Sequence, residues 1–312
     1  QVYGRIDQDI DRAIELLEKA RETTLAENNK SHINLYVALG IKSRACLAEG
    51  DWDGAFKAAK RVIDEGGYAV GTKSDLTGGM NSLDKQNVMW GAGIQVADQA
   101  GGYAGFFTHM DNKEGAYAKS APKLISKQLY NRISATDIRR DWWDPSDKES
   151  PYVSKKFSFA NVASFLGDYI YMRVEEMYFT AAEAALRLDD LKSARELMNT
   201  VMAERDPGYS ANNRSGTLLG ATTTTWTGSF LENILTHRRI ELWGEYGRLF
   251  DVRRLGQGID RRTDDGFSEE CISMMNRRNV NITKADTYDW VLTIPKAELD
   301  ANPNINEEDQ NP

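Results

Sequence analysis

The sequence predicts a mainly α-helical protein in which paired helices are interrupted by a loop-rich insertion containing short β-strands. Three observations carry this expectation. Apolar residues recur at helical spacing near both ends of the chain. One helix–turn–helix pattern returns in the same phase 139 positions later. Between the two copies the periodicity gives way to alternating and glycine-rich segments.

Taken in order, Ile6, Ile10, Ala13, Ile14 and Leu17 lie on one face of a first amphipathic helix. Leu35 to Ile63 reads as two helices joined at Glu49-Gly50-Asp51, the second carrying Ala55, Ala58, Ala59, Val62 and Ile63 and stopping at Gly66-Gly67. Ala194, Leu197, Met198, Val201 and Met202 repeat that pattern. The preceding helix follows, Leu35, Ala38 and Leu39 mapping onto Val174, Met177 and Tyr178, and Gly50-Asp51 maps onto Asp189-Asp190. Small residues at the contact positions let paired helices pack closely. Such pairs look like tetratricopeptide (TPR) units, whose period is about 34 residues. A spacing of 139 is not a tandem period, so an insertion is expected between them. A further helix starts at Ser229, which forms a capping-box pattern with Glu232, after a Thr222–Thr225 loop.

Within the insertion, Val88, Trp90, Ala92, Ile94 and Val96 alternate as in a strand that turns Trp90 to the core. Shorter strands are expected at Tyr152–Phe159 and at Tyr288–Ile294, the latter with Trp290 inward. The expected organisation is TPR-like helices over 1–67, the insertion over 68–171, and a second helix pair with a C-terminal segment over 172–312, all in one compact unit.

Composition excludes several classes. Hydrophobic residues make up 41% and charged residues 28% of the 312 positions, which is neither a disordered tail nor a membrane-spanning chain. A net charge of −8 argues against nucleic acid as a partner, and the doublets Arg139-Arg140, Arg261-Arg262 and Arg277-Arg278 lack interleaved aromatics. Two cysteines and three scattered histidines offer neither a disulfide scaffold nor a thiolate zinc site. Asp144-Pro145-Ser146-Asp147 lacks the fuller oxygen-ligand pattern of a calcium loop. Acidic pairs such as Asp189-Asp190, Asp264-Asp265 and Glu269-Glu270 single out no acid–base couple, and no nucleophile or phosphate-loop motif occurs. No catalytic residue, metal ligand or cofactor is therefore assigned. The charged run Arg238, Arg239, Glu241, Glu245, Arg248, Asp251, Arg253 and Arg254 reads as an ion-pair network fixing a helix and the turn after it.

The aromatic residues are more informative. Tyr103, Phe106, Phe107 and Tyr117, in and after a glycine-rich run, and Trp226, in a polar loop, occupy segments where burial is hard to arrange. They are candidate ligand-binding residues, with packing into a small core of the insertion as the alternative. Trp142 joins them, because the Trp142-Trp143 doublet can turn one ring in and one out. Trp52 and Trp243 read as packing residues.

Four segments carry a resemblance. YIYMRVEEMYFTAAEAAL (Tyr169 to Leu186), HRRIELWGEYGRLFDVRR (His237 to Arg254), WVLTIPKAELDANPN (Trp290 to Asn304) followed by Gln310-Asn311-Pro312, and Tyr130 with Asp137-Ile138-Arg139-Arg140 appear in the order found in the SusD/RagB-like nutrient-binding lipoproteins of Bacteroidota. The chain resembles that family over about 130–312, and the Leu35–Tyr68 helix pair fits too. It departs from it at His237, where the family usually has Glu, and at Tyr246, where Gly is common. The resemblance implies a non-catalytic protein on the surface of the cell outer membrane that captures a glycan and passes it to a SusC-like TonB-dependent transporter. A peptide ligand, an α-helical glycosidase and a TPR-like scaffold that binds only proteins are the alternatives. It also implies a signal peptide, a lipid-anchoring cysteine and further helices ahead of this point, so the chain is expected to be the C-terminal portion of such a protein.

Overall fold

The repeat read from the sequence is a repeat of structure. A computed structural model describes residues 2–21, 29–98, 105–214, 228–259, 282 and 291–310. Helix α1 (Val2–Arg21) packs on α2 (Leu35–Glu49), which pairs with α3 (Trp52–Glu65). After four short helices, α4 (Lys73–Thr77), α5 (Phe106–Met110), α6 (Ala116–Ser120) and α7 (Lys127–Tyr130), the second pair is α8 (Val174–Arg187) and α9 (Leu191–Ala203). Asp51 caps α3 by accepting from the Gly54 amide, and Asp190 caps α9 by accepting from the Ser193 amide, each at 3.0 Å. The residues before these caps are both left-handed, Gly50 at φ 90° and Asp189 at φ 62°. Glycine takes that conformation without steric cost, whereas Asp189 is one of few residue types that tolerate it. Ala55, Ala58, Ala59 and Val62, and their counterparts Ala194, Leu197, Met198 and Val201, are all buried.

The two pairs are separated in sequence but not in space. Helix α3 packs directly on α8, and α10 (Phe230–Glu241) packs on α8 as well. The helix pairs therefore stack as consecutive repeats, and the insertion leaves between them without prying them apart. Ser229 caps α10 through the Glu232 amide as expected, but the Glu232 carboxylate reaches back to the Gly228 amide, one residue beyond the box.

Strand β1 (Val88–Ala92) pairs antiparallel with β4 (Tyr169–Arg173), which runs straight into α8. Register shifts on either side of Trp90 interrupt the ladder, as bulges do. This alters the expected strand: it stops at Ala92, Val88 and Met89 are both buried, and Trp90 is only half-buried. Of the Tyr152–Phe159 strand only β3 (Val153–Ser154) forms, paired with β2 (Trp143–Asp144). The insertion has its own core, in which Leu76, Phe107, Leu129, Tyr130, Trp142, Trp143, Phe157 and Phe159 meet Ile240 of α10.

A buried ion network ties the insertion to the helices. Both oxygens of Glu241 are shared among Arg139 Nη1 (3.1 Å), Arg173 Nη1 (3.0 Å), and Arg205 Nε and Nη2 (3.0 Å each). Arg139 also pairs with Asp137, Arg205 with Glu175, and Arg173 with Glu245, which takes a further bond from Lys156. Arg139, Arg173, Arg205 and Lys156 thus balance Asp137, Glu175, Glu241 and Glu245. Burial opposes the Glu241 charge, but Arg205, Arg173 and Arg139 hold its carboxyl well below the usual range. Of the charged run, Glu241 and Glu245 enter this network, and their cations come from outside the run; Arg238 turns to Glu176 and Arg254 to Asp251.

Contacts divide the chain into two compact units, one of residues 1–221 and 227–248 and the other of 222–226 and 249–312. The first holds both helix pairs and the insertion. In the second, Asp251 pairs with Arg254, and the Gln310 side-chain amide exchanges two hydrogen bonds with the backbone of Ile294 (2.7 and 2.9 Å), just before helix Lys296–Ala301. The Thr222–Thr225 loop, Arg261-Arg262, Asp264-Asp265, Glu269-Glu270, Arg277-Arg278 and residues 288–290 of the expected Tyr288–Ile294 strand, Trp290 among them, lie outside the described residues; 291–294 is not strand.

Two measurements follow from the network. Glu241→Ala strands three buried guanidinium groups and is expected to cost about 3–5 kcal/mol of unfolding free energy, read from urea titration. Removing exposed Glu196, paired with Lys192 along α9, should leave the midpoint unchanged; equal effects would contradict this. His237 Nδ1 lies 2.9 Å from Arg139 Nη2, and burial, then Arg139, drive its pKa well below the ordinary 6.5. Below that pH the unfolded chain takes up a proton that the folded chain refuses. Stability is therefore lost as pH falls from about 6.5, with a slope approaching about 1.4 kcal/mol per unit. Thermal melts of His237→Gln should lack this slope between about pH 6.5 and 5.5.

Candidate functional site

A cavity of about 500 Å³ opens where the insertion meets the helices of the first unit. Its volume is in the range of small-ligand sites. Strand β4 supplies three successive residues, Tyr169, Ile170 and Tyr171, and β1 supplies Trp90. Phe106 comes from α5 (Phe106–Met110), Arg44 from α2, and Gly244, Glu245 and Tyr246 from the turn after α10; Met80 and Phe157 complete the wall.

The rings hold one another edge to face. Trp90 and Tyr171 meet at 5.1 Å and 70°, and Phe106 meets Phe157 at 5.2 Å and 90°. Tyr169 lies 6.0 Å from Phe106, and its hydroxyl accepts from the Phe106 amide at 3.4 Å. Tyr171 remains 41% exposed. Met80, at φ 51°, is left-handed, a conformation costly for a long side chain, and it sits in the wall.

The two charged residues of the lining are anchored in protein. Arg44 clamps Glu176 through Nε (2.8 Å) and Nη2 (2.6 Å), gives a third bond to the Tyr171 carbonyl (2.7 Å), and stacks 3.8 Å from the Tyr246 ring centre. Burial works against its charge, but Glu176 outweighs burial and raises its pKa. Glu245 receives Arg173 Nε and Nη2, each at 2.8 Å, and Lys156 Nζ. Burial opposes ionisation of Glu245, yet Arg173 and Lys156 keep its pKa lowered. Burial pushes the Lys156 ammonium down to about 8, with Glu245 opposing. Lys156 also donates to the carbonyls of Glu241 and Trp243 (2.7 and 2.9 Å), so it pins the turn that forms the cavity lip.

The residues chosen from the sequence are dispersed. Phe106 lines the cavity. Phe107 and Trp142 do not: each is 2% exposed and belongs to the core of the insertion. Phe107 packs on Phe106, Phe159 and Tyr169, and the Trp142 indole donates to the Leu76 carbonyl at 3.0 Å. The doublet does not split, because the backbone changes from a 3-10 helix (Ile138–Trp142) to strand between the two residues, and Trp143 is buried against Trp243. Tyr117 lies on another surface, 38% exposed and stacked parallel on His109 at 4.6 Å. Tyr103 and Trp226 lie outside the described residues. Trp90, Tyr169, Tyr171 and Tyr246 were missed. Trp90 was assigned to the core by alternation, which the bulge defeats, and the tyrosines sit inside segments that read as scaffold.

A second, polar cavity of about 540 Å³ lies beside Asp144-Pro145-Ser146-Asp147. Asp144 accepts from the Ser146 amide and hydroxyl, and Asp147 from the Glu149 and Ser150 amides, so both carboxylates close their own turns. No cluster of His, Cys, Asp or Glu suited to a metal ion occurs among the described residues.

The architecture is a TPR-like helical scaffold whose inserted segment forms a cavity walled by aromatic rings. A sequence model of the SusD family matches residues 108–312, and the chain belongs to that family. Among solved structures it is similar to a SusD-like carbohydrate binding protein from Bacteroides vulgatus, with TM-score 0.72 and 25% identity over 95% of this chain and 64% of that one. A SusD superfamily protein from Bacteroides thetaiotaomicron gives TM-score 0.72 and 22% identity over 98% of this chain and 66% of that one. Surface glycan-binding protein A from Bacteroides uniformis gives 0.62 and 17% over 98% and 68%. The chain thus spans about two thirds of the length of these relatives. No curated protein matches it.

Proposed function

We propose that the protein binds a glycan, without cleaving it, in the ring-walled cavity formed by β1, β4, α5 and the turn after α10. The observation that carries this reading is the wall itself: Trp90, Phe106, Tyr169 and Tyr171 gather apolar faces around a space of ligand size, with polar groups between them. Sugar rings offer apolar C–H faces to such surfaces and hydroxyls to the groups between. The relatives named as carbohydrate and glycan binders support the same ligand class.

Non-catalytic binding fits the state of the cavity carboxylate. Glu245 is its sole lining carboxylate among the described residues. Held ionised by Arg173 and Lys156, it is a poor general acid, and its neighbour Glu176 is spent on Arg44. Glycoside hydrolysis calls for two carboxyl groups flanking one bond, one of them protonated. Delivery to a SusC-like TonB-dependent transporter at the outer-membrane surface rests on the family, and co-purification from native membranes checks it.

Calorimetric titration with a panel of polysaccharides tests the site. The expected affinity is micromolar to millimolar, about −4 to −8 kcal/mol. Trp90→Ala is expected to weaken it at least fivefold while the variant stays folded, and reducing ends should stay at baseline through prolonged incubation. Undiminished affinity in Trp90→Ala would place the site elsewhere, and steady release of reducing ends would make the protein a glycosidase.

A further inference from the structure

We infer that the cavity selects an uncharged stretch of glycan and discriminates against uronic-acid and sulfated sugars. This rests on the glycan reading above and narrows its ligand class. The grounds are the partners of the two charged residues in the wall. Arg44 is the cation an anionic sugar would seek, and it is bound bidentately to Glu176, whose side chain is 2% exposed. A carboxylate or sulfate entering the cavity would have to displace Glu176, leaving that carboxylate buried beside Arg238 alone, 3.6 Å away. Otherwise it could accept only from Arg44 Nη1, on a guanidinium whose charge Glu176 already cancels, and would lack a counter-charge of its own in an apolar space. On the turn that Arg44 meets through Tyr246, Glu245 carries a charge of the same sign as the anionic sugar's and is already committed to Arg173 and Lys156. Discrimination of this kind comes from what the wrong ligand leaves uncompensated.

A neutral sugar meets none of these obstacles. It needs ring faces, which Trp90, Tyr169 and Tyr171 supply, and a few hydrogen-bonding groups. Among the described residues Arg44 Nη1 makes no hydrogen bond, so Arg44 can donate to a hydroxyl while its charge stays paired with Glu176. The pairing that cancels the charge of Arg44 therefore leaves a donor whose orientation Glu176 and the Tyr171 carbonyl fix.

The test is calorimetric titration with matched oligosaccharides differing only at C6: gluco- and glucuronan, manno- and mannuronan, galacto- and galacturonan. Each pair is measured in low salt and at about 0.5 M salt, where the Debye length falls to roughly 4 Å and repulsion by the protein's net negative charge is screened. In the pair that binds, the neutral sugar is expected to bind at least tenfold tighter than the uronate in both salts, its own affinity changing less than twofold. Equal or tighter uronate binding, or a preference that vanishes in high salt, would overturn the inference while leaving the glycan reading intact. Absence of binding by every sugar of both kinds would overturn the glycan reading and this inference with it. Glu176→Gln keeps the size of the side chain and one acceptor oxygen for Arg44, and removes the negative charge. In the folded variant, uronate affinity should rise at least fivefold with neutral affinity within twofold; no gain for the uronate overturns the proposal. If that variant does not fold, the wild-type pairs decide.

Discussion

A carboxylate shut away from water, that of Glu241 in α10, is shared by guanidinium groups from three other parts of the chain. Arg139 belongs to the insertion, Arg173 ends the strand that leads into α8, and Arg205 follows α9. An isolated charge in such a place would cost several kcal/mol or take up a proton. Here each charge has its counter-charge, and the neutral sum requires all these segments to arrive together. Apolar packing alone would let the insertion settle in many ways on the helices. The network admits one, because a shift of an ångström or two would strand several buried ions at once.

The cavity inherits its shape from that arrangement. Arg173 reaches from Glu241 to Glu245, and Lys156 links Glu245 to the carbonyls of Glu241 and Trp243. The turn bearing Glu245 and Tyr246 is thus tied on one side to the network and on the other, through Tyr246 and Arg44, to α2. Gly244 makes the close approach possible: its φ is 74°, and a Cβ there would stand 2.6 Å from a ring carbon of Phe157. Binding surfaces on irregular segments need such bracing if their rings are to meet a ligand without first being ordered.

The scaffold was legible in the sequence to an unusual depth. The 139-residue offset aligns the buried positions of α3 with those of α9, and with them the aspartate caps and the left-handed residues before the caps. The segments that carry the family resemblance contain six of the network's eight charged residues: Asp137 and Arg139, Arg173 and Glu175, Glu241 and Glu245. The charged run could be recognised as structural because its alternation of Arg and Glu suits mutual neutralisation. What it pairs with could not be, since Arg139 and Arg173 lie in other segments far off in the chain, and Arg205 and Lys156 lie outside every segment that carries the resemblance. Ligand-facing rings were harder to find. Glycine-rich surroundings marked Phe107 as a loop residue, yet neighbouring aromatics bury it. Strand alternation sent Trp90 inward, and no periodicity announces a bulge. Whether a ring is covered depends on contacts between segments far apart in the chain, and local pattern carries none of that.

The central claim is that the ring-walled cavity is where ligand binds. A crystal structure with a bound neutral oligosaccharide chosen by titration tests it most directly. A sugar ring is expected to lie against Trp90 and Tyr171, within hydrogen-bond reach of Arg44, with the Arg44–Glu176 pair intact. Sugar density confined to another surface, such as the His109–Tyr117 stack, with the cavity empty at saturating ligand, would contradict it.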